Sequence, residues 1–277
     1  LSQGFPIRRQ QAADRLPEFE ALRDQSRDIK NHVLANLDHY LEVYEAKVIG
    51  LGGKVHWARD AEEACAHILR ICKSANAKTV TKSKSMIGEE IAINSYLEDN
   101  GIAPIETDLG EYIIQLRNEP PSHIIAPAIH VSKAEVEADF RRVHTDLPAD
   151  RNLDDPLSLL QEARNQLRDK FINADVGLTG ANMLVAETGS NVLVTNEGNA
   201  DLTYALPRVH IVIASLEKIV PTLEDASTLL RVLARSATGQ DMSVYTTFCS
   251  GPKRQQDTEG PEEYHVVLLD NGRTDLL

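Results

Sequence analysis

Residues 78–109 read KTVTKSKSMIGEEIAINSYLEDNGIAPIETDL, and their order of elements decides the fold class. Lys78–Thr81 predicts a short buried strand, and Met86–Glu98 predicts a helix closed by Asn100-Gly101. Ala103–Glu106 predicts a second strand. Two strands joined through a helix make a parallel unit, because parallel neighbours need a crossover and not a tight turn.

The same alternation extends in both directions. Upstream, Lys54–Trp57 predicts a strand and Asp60–Ser74 a helix with Ala64, Ile68, Leu69 and Cys72 facing inward. Downstream come a short helix at Leu109–Leu116, a strand at His123–Ala126 and helices at Lys133–Val143 and Asp155–Ile172. After Asn173 the text changes to strand–turn–strand at Val176–Thr179, Met183–Ala186, Val192–Val194 and Val209–Ala214. A helix at Leu223–Ser236 and strands near Val244–Phe248 and Tyr264–Leu269 complete the pattern. The expected class is α/β, a largely parallel sheet with helices on both faces. Ahead of it, Leu22, Ile29, Val33, Leu37, Tyr40, Leu41, Tyr44 and Val48 form one apolar stripe. They predict a long helix over 20–49, ended by Gly50, Gly52 and Gly53. Residues 1–53 are therefore expected as an N-terminal helical extension and 54–277 as the α/β domain.

Composition narrows the function. A net charge of −13 disfavours nucleic acid, which calls for a basic footprint. No run approaches the ~18–20 apolar residues of a membrane span, and the first residues, LSQGFPIRRQ, lack a signal core. Three cysteines, Cys65, Cys72 and Cys249, without a CxxC pair fit a reducing cytoplasm and build neither a zinc ribbon nor an iron–sulfur cluster. Neither GxGxxG nor GxxxxGK[ST] is present, so no dinucleotide or P-loop fingerprint guides the reading.

Ligands in open α/β sheets collect outside the carboxyl ends of the strands, so the loops there supply the candidates. Lys82-Ser83-Lys84-Ser85 lies between a strand and a helix, where free N–H groups and two lysines suit an anion; Ser85 alone also serves as a helix cap. In Glu106-Thr107-Asp108-Leu109-Gly110-Glu111, Asp108 and Glu111 have capping-box spacing, which leaves Glu106 for chemistry. Ser132 and Glu135 form another such box. The stretch Ala186–Asp201, AETGSNVLVTNEGNAD, gathers acids, hydroxyls, amides and glycines around one apolar strand. Its candidates are Glu187 and Glu197 as base or nucleophile, with Thr188, Ser190 and Asn199 lining the pocket. The histidines, His123, His130 and His210 among them, are scattered and read as structural.

VTKSKSMIGEEIAINSYLEDNGI, ETDLGEYIIQL, PPSHIIAPAIH, AETGSNVLVTNEGNADL and GPEEYHVVLLDNGR, in that order, resemble the LUD (lactate-utilisation) domain family. HVLANLDHYLE and GGKVHWARDAEEA fit its larger, iron–sulfur subunit type. The resemblance runs from about residue 27 to the last residue. It implies a fold like the ribose-phosphate isomerase, glucosamine-phosphate deaminase and CoA-transferase group. It also implies a part in oxidising L-lactate to pyruvate, in a cytoplasmic complex with two companion subunits. Iron–sulfur clusters (4Fe-4S) are expected in a cysteine-rich region after the DNGR segment, where this sequence stops, so none is expected on this chain. The family supplies no catalytic assignment; Lys82, Ser83, Lys84, Glu106, Glu187 and Glu197 are chosen from their loops. Two further expectations stand beside lactate binding: group transfer through a glutamate nucleophile, loosely echoed at Asn196-Glu197-Gly198 and Glu187-Thr188-Gly189, and a non-catalytic scaffold that docks partner subunits.

Overall fold

The computed structural model describes residues 4–123 and 126–276. Six parallel strands form the main sheet: β1 (Lys54–Ala58), β2 (Thr79–Lys82), β3 (Ala103–Glu106), β4 (Val176–Thr179), β7 (Val209–Ser215) and β10 (Glu263–Leu269). Their order is β1-β10-β7-β4-β2-β3. At the centre, all seven residues of β7 and all four of β4 are buried. Each buried Val or Ile there contributes roughly 1.5–3 kcal/mol over an exposed one, which is why these strands read as continuous apolar runs. Their polar members are paired: the Thr179 hydroxyl and His210 Nε2 lie 2.9 Å apart.

The strand faces alternate, and each has its own core. On one face Val80, Ile211, Ile213 and Val267 meet Ala64, Ile68 and Cys72 of α4 (Ala61–Ser74) and Ile87 and Leu97 of α5 (Met86–Glu90) and α6 (Ile93–Asp99). On the other, Val212, Ala214, Val266 and Leu268 meet Leu41, Tyr44 and Val48 of α3 (Leu37–Gly50) and a second, smaller sheet. That sheet joins β8 (Ile219–Val220), β5 (Met183–Val185), β6 (Ser190–Thr195) and β9 (Tyr245–Cys249) in that order. Strands β5 and β6 are antiparallel and connected by a tight turn, the geometry that a short hairpin loop permits. Of the strand–turn–strand text, Met183–Ala186 and Val192–Val194 form this separate layer, while Val176–Thr179 and Val209–Ala214 belong to the main sheet. Helix α10 (Asn199–Ala205) follows β6 and lies so close to β4 that a Cβ on Gly177 would stand 1.9 Å from the Thr203 carbonyl oxygen. Glycine is the residue that fits there.

Helices α7 (Leu109–Arg117), α8 (Lys133–Val143) and α9 (Pro156–Ile172) pack around Tyr112, Phe140 and Phe171 at the β3 edge. The strand expected at His123–Ala126 rests partly on Ile124 and Ile125, which lie outside the described residues; His123 and Ala126 are not in a strand. The long helix expected over 20–49 is two helices, α2 (Phe19–Leu34) and α3, because Asn36 leaves the helical region at φ −136°. Its side-chain amide donates to the His32 carbonyl, a competing local bond of the kind that makes asparagine a poor helix interior. Helix α2 packs against α11 (Leu223–Ala237). The helix expected over 86–98 is also broken, at Ala92, which is left-handed (φ 51°). Among the described residues no helix is long and apolar enough to cross a membrane.

Candidate functional site

The chain runs from β2 outward to β3, then returns past β2 to β4 and continues through β7 to β10. The connection leaving β2 covers one face, through α5 and α6, and that leaving β4 covers the other, through β5, β6 and α10. The two loops diverge between adjacent strands, which opens a crevice at a topological switch point. A cleft of about 390 Å³ lies there, lined by Ser83, Lys84 and Ser85 from the first loop and Gly180, Ala181 and Asn182 from the second. Thr195, Glu197 and Asn199 close it from the end of β6, and Lys218 enters from the turn after β7.

Hydrogen bonds hold these walls. The Ser83 N–H continues the β2–β4 ladder to the Leu178 carbonyl at 3.0 Å. Ser85 accepts from the Gly88 N–H at 3.1 Å and so caps α5 while its side chain faces the cleft. Asn199 is buried; it accepts from the Thr195 hydroxyl at 2.9 Å and donates to the Thr107 hydroxyl at 3.2 Å. Thr107 in turn donates to the Lys82 carbonyl at 2.8 Å. The small sheet is thereby pinned to the end of β2. Glu197 stands at the rim and accepts from the Leu109 N–H at 3.3 Å. Partial desolvation and the nearby Asp108 carboxylate raise its pKa, against the pull of that N–H and of Lys84.

Of the residues singled out in the sequence, Ser83, Lys84, Glu197 and Asn199 meet in this cleft. Glu187, Thr188 and Ser190 do not. They lie at the opposite end of β6, five residue steps away, or roughly 17 Å at 3.3 Å per residue. The Glu187 carboxylate is exposed and accepts from the Leu223 N–H at 3.1 Å, at the start of α11. Thr188 donates to Ser190 at 2.9 Å, and Ser190 lies 2.5 Å from the Ser250 hydroxyl. Gly189 takes φ 69° against α3, where a Cβ would be 2.9 Å from the Val48 nitrogen. That close approach is what calls for glycine at this turn.

Lys82 and Glu106 also stand apart from the cleft. The Lys82 side chain is fully buried and points away from Ser83, since successive side chains on a strand alternate. Its Nζ lies 2.8 Å from Glu106 and 2.8 Å from Glu89. Burial alone would lower its pKa; the carboxylates of Glu106, Glu111 and Glu89 outweigh this and hold it above its ordinary value. Glu106 also accepts from the Asn94 amide at 2.7 Å and, through its backbone N–H, donates to Gln115 at 3.0 Å. Asp108 caps α7 as its spacing predicts, accepting from the Gly110 and Glu111 N–H groups. Glu111 departs from the capping-box reading: it is buried, and desolvation with the Glu106 charge pushes its pKa up to about 9. Glu89, Asn94, Glu106, Glu111 and Gln115 border a second cavity of about 330 Å³ on the far side of the β2 end, whereas Asp108 faces the first cleft. The Ser132–Glu135 box does form.

Sequence reasoning missed Lys218 and Asn182 in the cleft, and Glu111 and Asn94 in the second cavity. Asn182 had a signal: it lies just after a strand end, behind Gly180. Lys218 had none beyond its place after β7. The three cysteines are buried, Cys65 and Cys72 in one core and Cys249 in the other. Burial raises the thiol pKa of Cys65 to about 11 and of Cys72 to about 12. They do not converge, so they do not fit an iron–sulfur cluster. No group of three or more His, Cys, Asp or Glu among the described residues is placed to hold a metal ion.

The LUD domain family profile matches residues 41–269. Lactate utilization protein B of Bacillus cereus (strain AH820) is 45% identical over 269 residues, 97% of this chain. The proteins of the same name from Bacillus cytotoxicus and Bacillus thuringiensis (strain Al Hakam) match to the same degree. This chain spans 56% of the length of each of these relatives. Among solved structures, a DUF162 family protein from Deinococcus radiodurans aligns with a TM-score of 0.46 and 16% identity, over 84% of this chain and 98% of that one. With most of its length matched by the family profile, the chain belongs to the LUD domain family.

Proposed function

We propose that this chain is the LUD domain of an iron–sulfur subunit in lactate utilisation, and that its switch-point cleft binds a small carboxylate, L-lactate or pyruvate. The observation that carries this reading is Lys84 and Lys218 lining one crevice with the Ser83 hydroxyl and the Glu197 carboxylate. Two ammonium groups suit the substrate carboxylate. The hydroxyls and the Asn182 and Asn199 amides suit the 2-hydroxyl or keto oxygen. Glu197, its pKa raised by partial desolvation and the Asp108 charge, suits the role of base toward the hydroxyl proton. The names of the 45%-identical relatives support lactate as the substrate class.

Oxidation of lactate to pyruvate removes two electrons and two protons. On this reading the domain binds and orients the acid and accepts one proton. The Cα hydrogen and its two electrons, together equivalent to a hydride, pass to an acceptor supplied elsewhere in a cytoplasmic assembly with two companion subunits. Clusters of the iron–sulfur type would be held by sequence outside this chain, since the cysteines here do not converge.

A thermal-shift titration with L-lactate and pyruvate tests the reading, with D-lactate, ribose 5-phosphate and acetyl-CoA run alongside. A ligand at a hundred times its Kd adds about 2.7 kcal/mol, roughly 5 °C for a chain of this size. The expected result is a shift with L-lactate or pyruvate that Lys218→Ala abolishes. No shift with either acid overturns it, and a shift with acetyl-CoA alone points to group transfer at Glu197.

A further inference from the structure

Lys218 enters the cleft from a three-residue 3-10 turn, Leu216–Lys218, that follows β7. So short a turn holds itself poorly, because its internal hydrogen bonds are few and of poorer geometry. Here the Ile219 N–H donates to the Leu216 carbonyl. Two cations from distant parts of the chain add the rest. Lys30 of α2 donates to the carbonyls of Glu217 and Ile219, the residues on either side of Lys218, at 3.1 Å to Ile219. Arg273 places its Nε 3.1 Å from Glu217 Oε2. The Ser215 hydroxyl donates to Oε1 of the same carboxylate at 2.6 Å. Leu216 is packed in the core and Glu217 is tied, so Lys218 is the member of the turn whose side chain is left to the cleft.

Arg273 also reaches a second wall. Its Nη1 and Nη2 fork onto the two oxygens of Glu90, at 3.1 and 2.8 Å. Glu90 ends α5, whose start lines the cleft with Ser85, Met86 and Ile87. One guanidinium thus joins the Lys218 turn to α5. Its own position is built by the strands. Leu269 of β10 lies opposite Ser215 of β7, so the turns leaving the two strands emerge at one edge. Next, the Asp270 and Asn271 N–H groups donate to the Ala58 and Arg59 carbonyls at 3.0 and 2.9 Å. Asn271 (φ 48°) and Gly272 (φ 79°) turn the chain back, and Asp270 accepts from the Thr274 N–H at 2.8 Å. The DNGR segment is therefore an ordered turn that presents one arginine. A lysine, with its single point of charge, does not reproduce that fork. We propose that Arg273 is a positioning residue: by tying Glu217 to Glu90 it fixes the Leu216–Lys218 turn against α5 and sets where the Lys218 ammonium stands in the cleft. This role rests on the cleft's binding a small carboxylate, since the placement of Lys218 relative to Lys84 decides whether both meet one anion.

Trace acetylation of the intact chain with acetic anhydride near pH 8 reads the Lys218 amine without any ligand, as labelling relative to Lys170, which is exposed on α9. Calorimetric titration with L-lactate and with pyruvate reads the cleft. In Arg273→Gln, Lys218 labelling should rise at least about threefold as the turn is released. The Kd of the acid that binds should rise at least about fivefold, near 1 kcal/mol. Glu217→Gln keeps the size of the side chain, removes the charge that Arg273 meets, and should do the same; it carries the test if Arg273→Gln does not fold. Arg208→Gln removes an ion pair to Glu263 at the other end of β10 and should change neither readout. A role in stability alone would lower the unfolding midpoint without moving the Lys218 ratio. Unchanged Lys218 labelling in both variants overturns the proposal, as does raised labelling with an unchanged Kd. Wild-type protein that binds neither acid overturns the carboxylate function instead, and the labelling ratio then still decides whether Arg273 positions Lys218.

Discussion

Glu111→Gln should reverse part of the pH dependence of folding. The folded protein holds a proton on Glu111 up to about pH 9, because the group is buried beside the Glu106 charge. The unfolded chain releases it near its ordinary value of 4.5. Between these limits the folded state binds more protons than the unfolded state, so stability falls as pH rises. The loss is at most about 1.4 kcal/mol per pH unit for one group. Over three units, from pH 5 to pH 8, the upper bound is about 4 kcal/mol. Glutamine has the size of the protonated acid and can still donate to Glu106, but it has no proton to lose. Urea unfolding at pH 5, 6.5 and 8 checks the point: the two proteins should be similar at pH 5, and the variant should lead increasingly as pH rises. Curves that stay parallel across that range would refute the assignment of a neutral Glu111.

Three further outcomes follow from the packing. Gly177→Ala should cost about 3 kcal/mol or more by urea midpoint, since its Cβ would strike the Thr203 carbonyl at 1.9 Å and backbone yields little; a loss under about 1 kcal/mol would contradict the close approach of α10 to β4. Ala92→Gly should stabilise the chain by about 1 kcal/mol, because Ala92 is left-handed and glycine adopts that conformation without strain; a lower midpoint would show that the side chain matters more than the backbone. Glu187→Ala should cost about 1 kcal/mol through the lost bond to the Leu223 N–H at the start of α11, while leaving any carboxylate-induced thermal shift intact. Loss of that shift would return Glu187 to the site.

The βαβ text of residues 78–109 was legible because parallel strands are buried on both faces and the crossover leaves its own periodicity. The second sheet was harder to see. Strand β6 pairs with β9, whose register sets Asn191 opposite Cys249, and nothing local announces a partner so far along the chain. The breaks at Asn36 and Ala92 were also hidden. At Asn36 the local signal was one side-chain bond to the His32 carbonyl, easily lost in a continuous apolar stripe; at Ala92 it was absent, since alanine favours helix and the break serves to bring Asn94 to Glu106.

The candidate residues teach a sharper lesson, since part of the answer lay in strand geometry. Lys82 and Ser83 are adjacent at a strand end, so their side chains take opposite faces. One of them can enter the switch-point cleft, and Ser83 does. Lys82 must then find charge partners on the other side, and an ammonium buried there without carboxylates would be prohibitively costly. Glu106 meets that need because β3 pairs with β2 in register, Lys82 opposite Glu106. Glu111 comes within reach because the Asp108 cap starts α7 directly after that strand. The same reasoning separates Glu187 from Glu197, which the length of β6 keeps at opposite ends of the small sheet. What adjacency in the chain suggested as one anion loop and one acid-lined hairpin is, in three dimensions, a cleft that sets Lys84 and Lys218 beside Asp108 and Glu197, and an acidic cavity, back to back across the end of one strand. A ligand that binds to one and is indifferent to a substitution in the other would show that the two faces work independently.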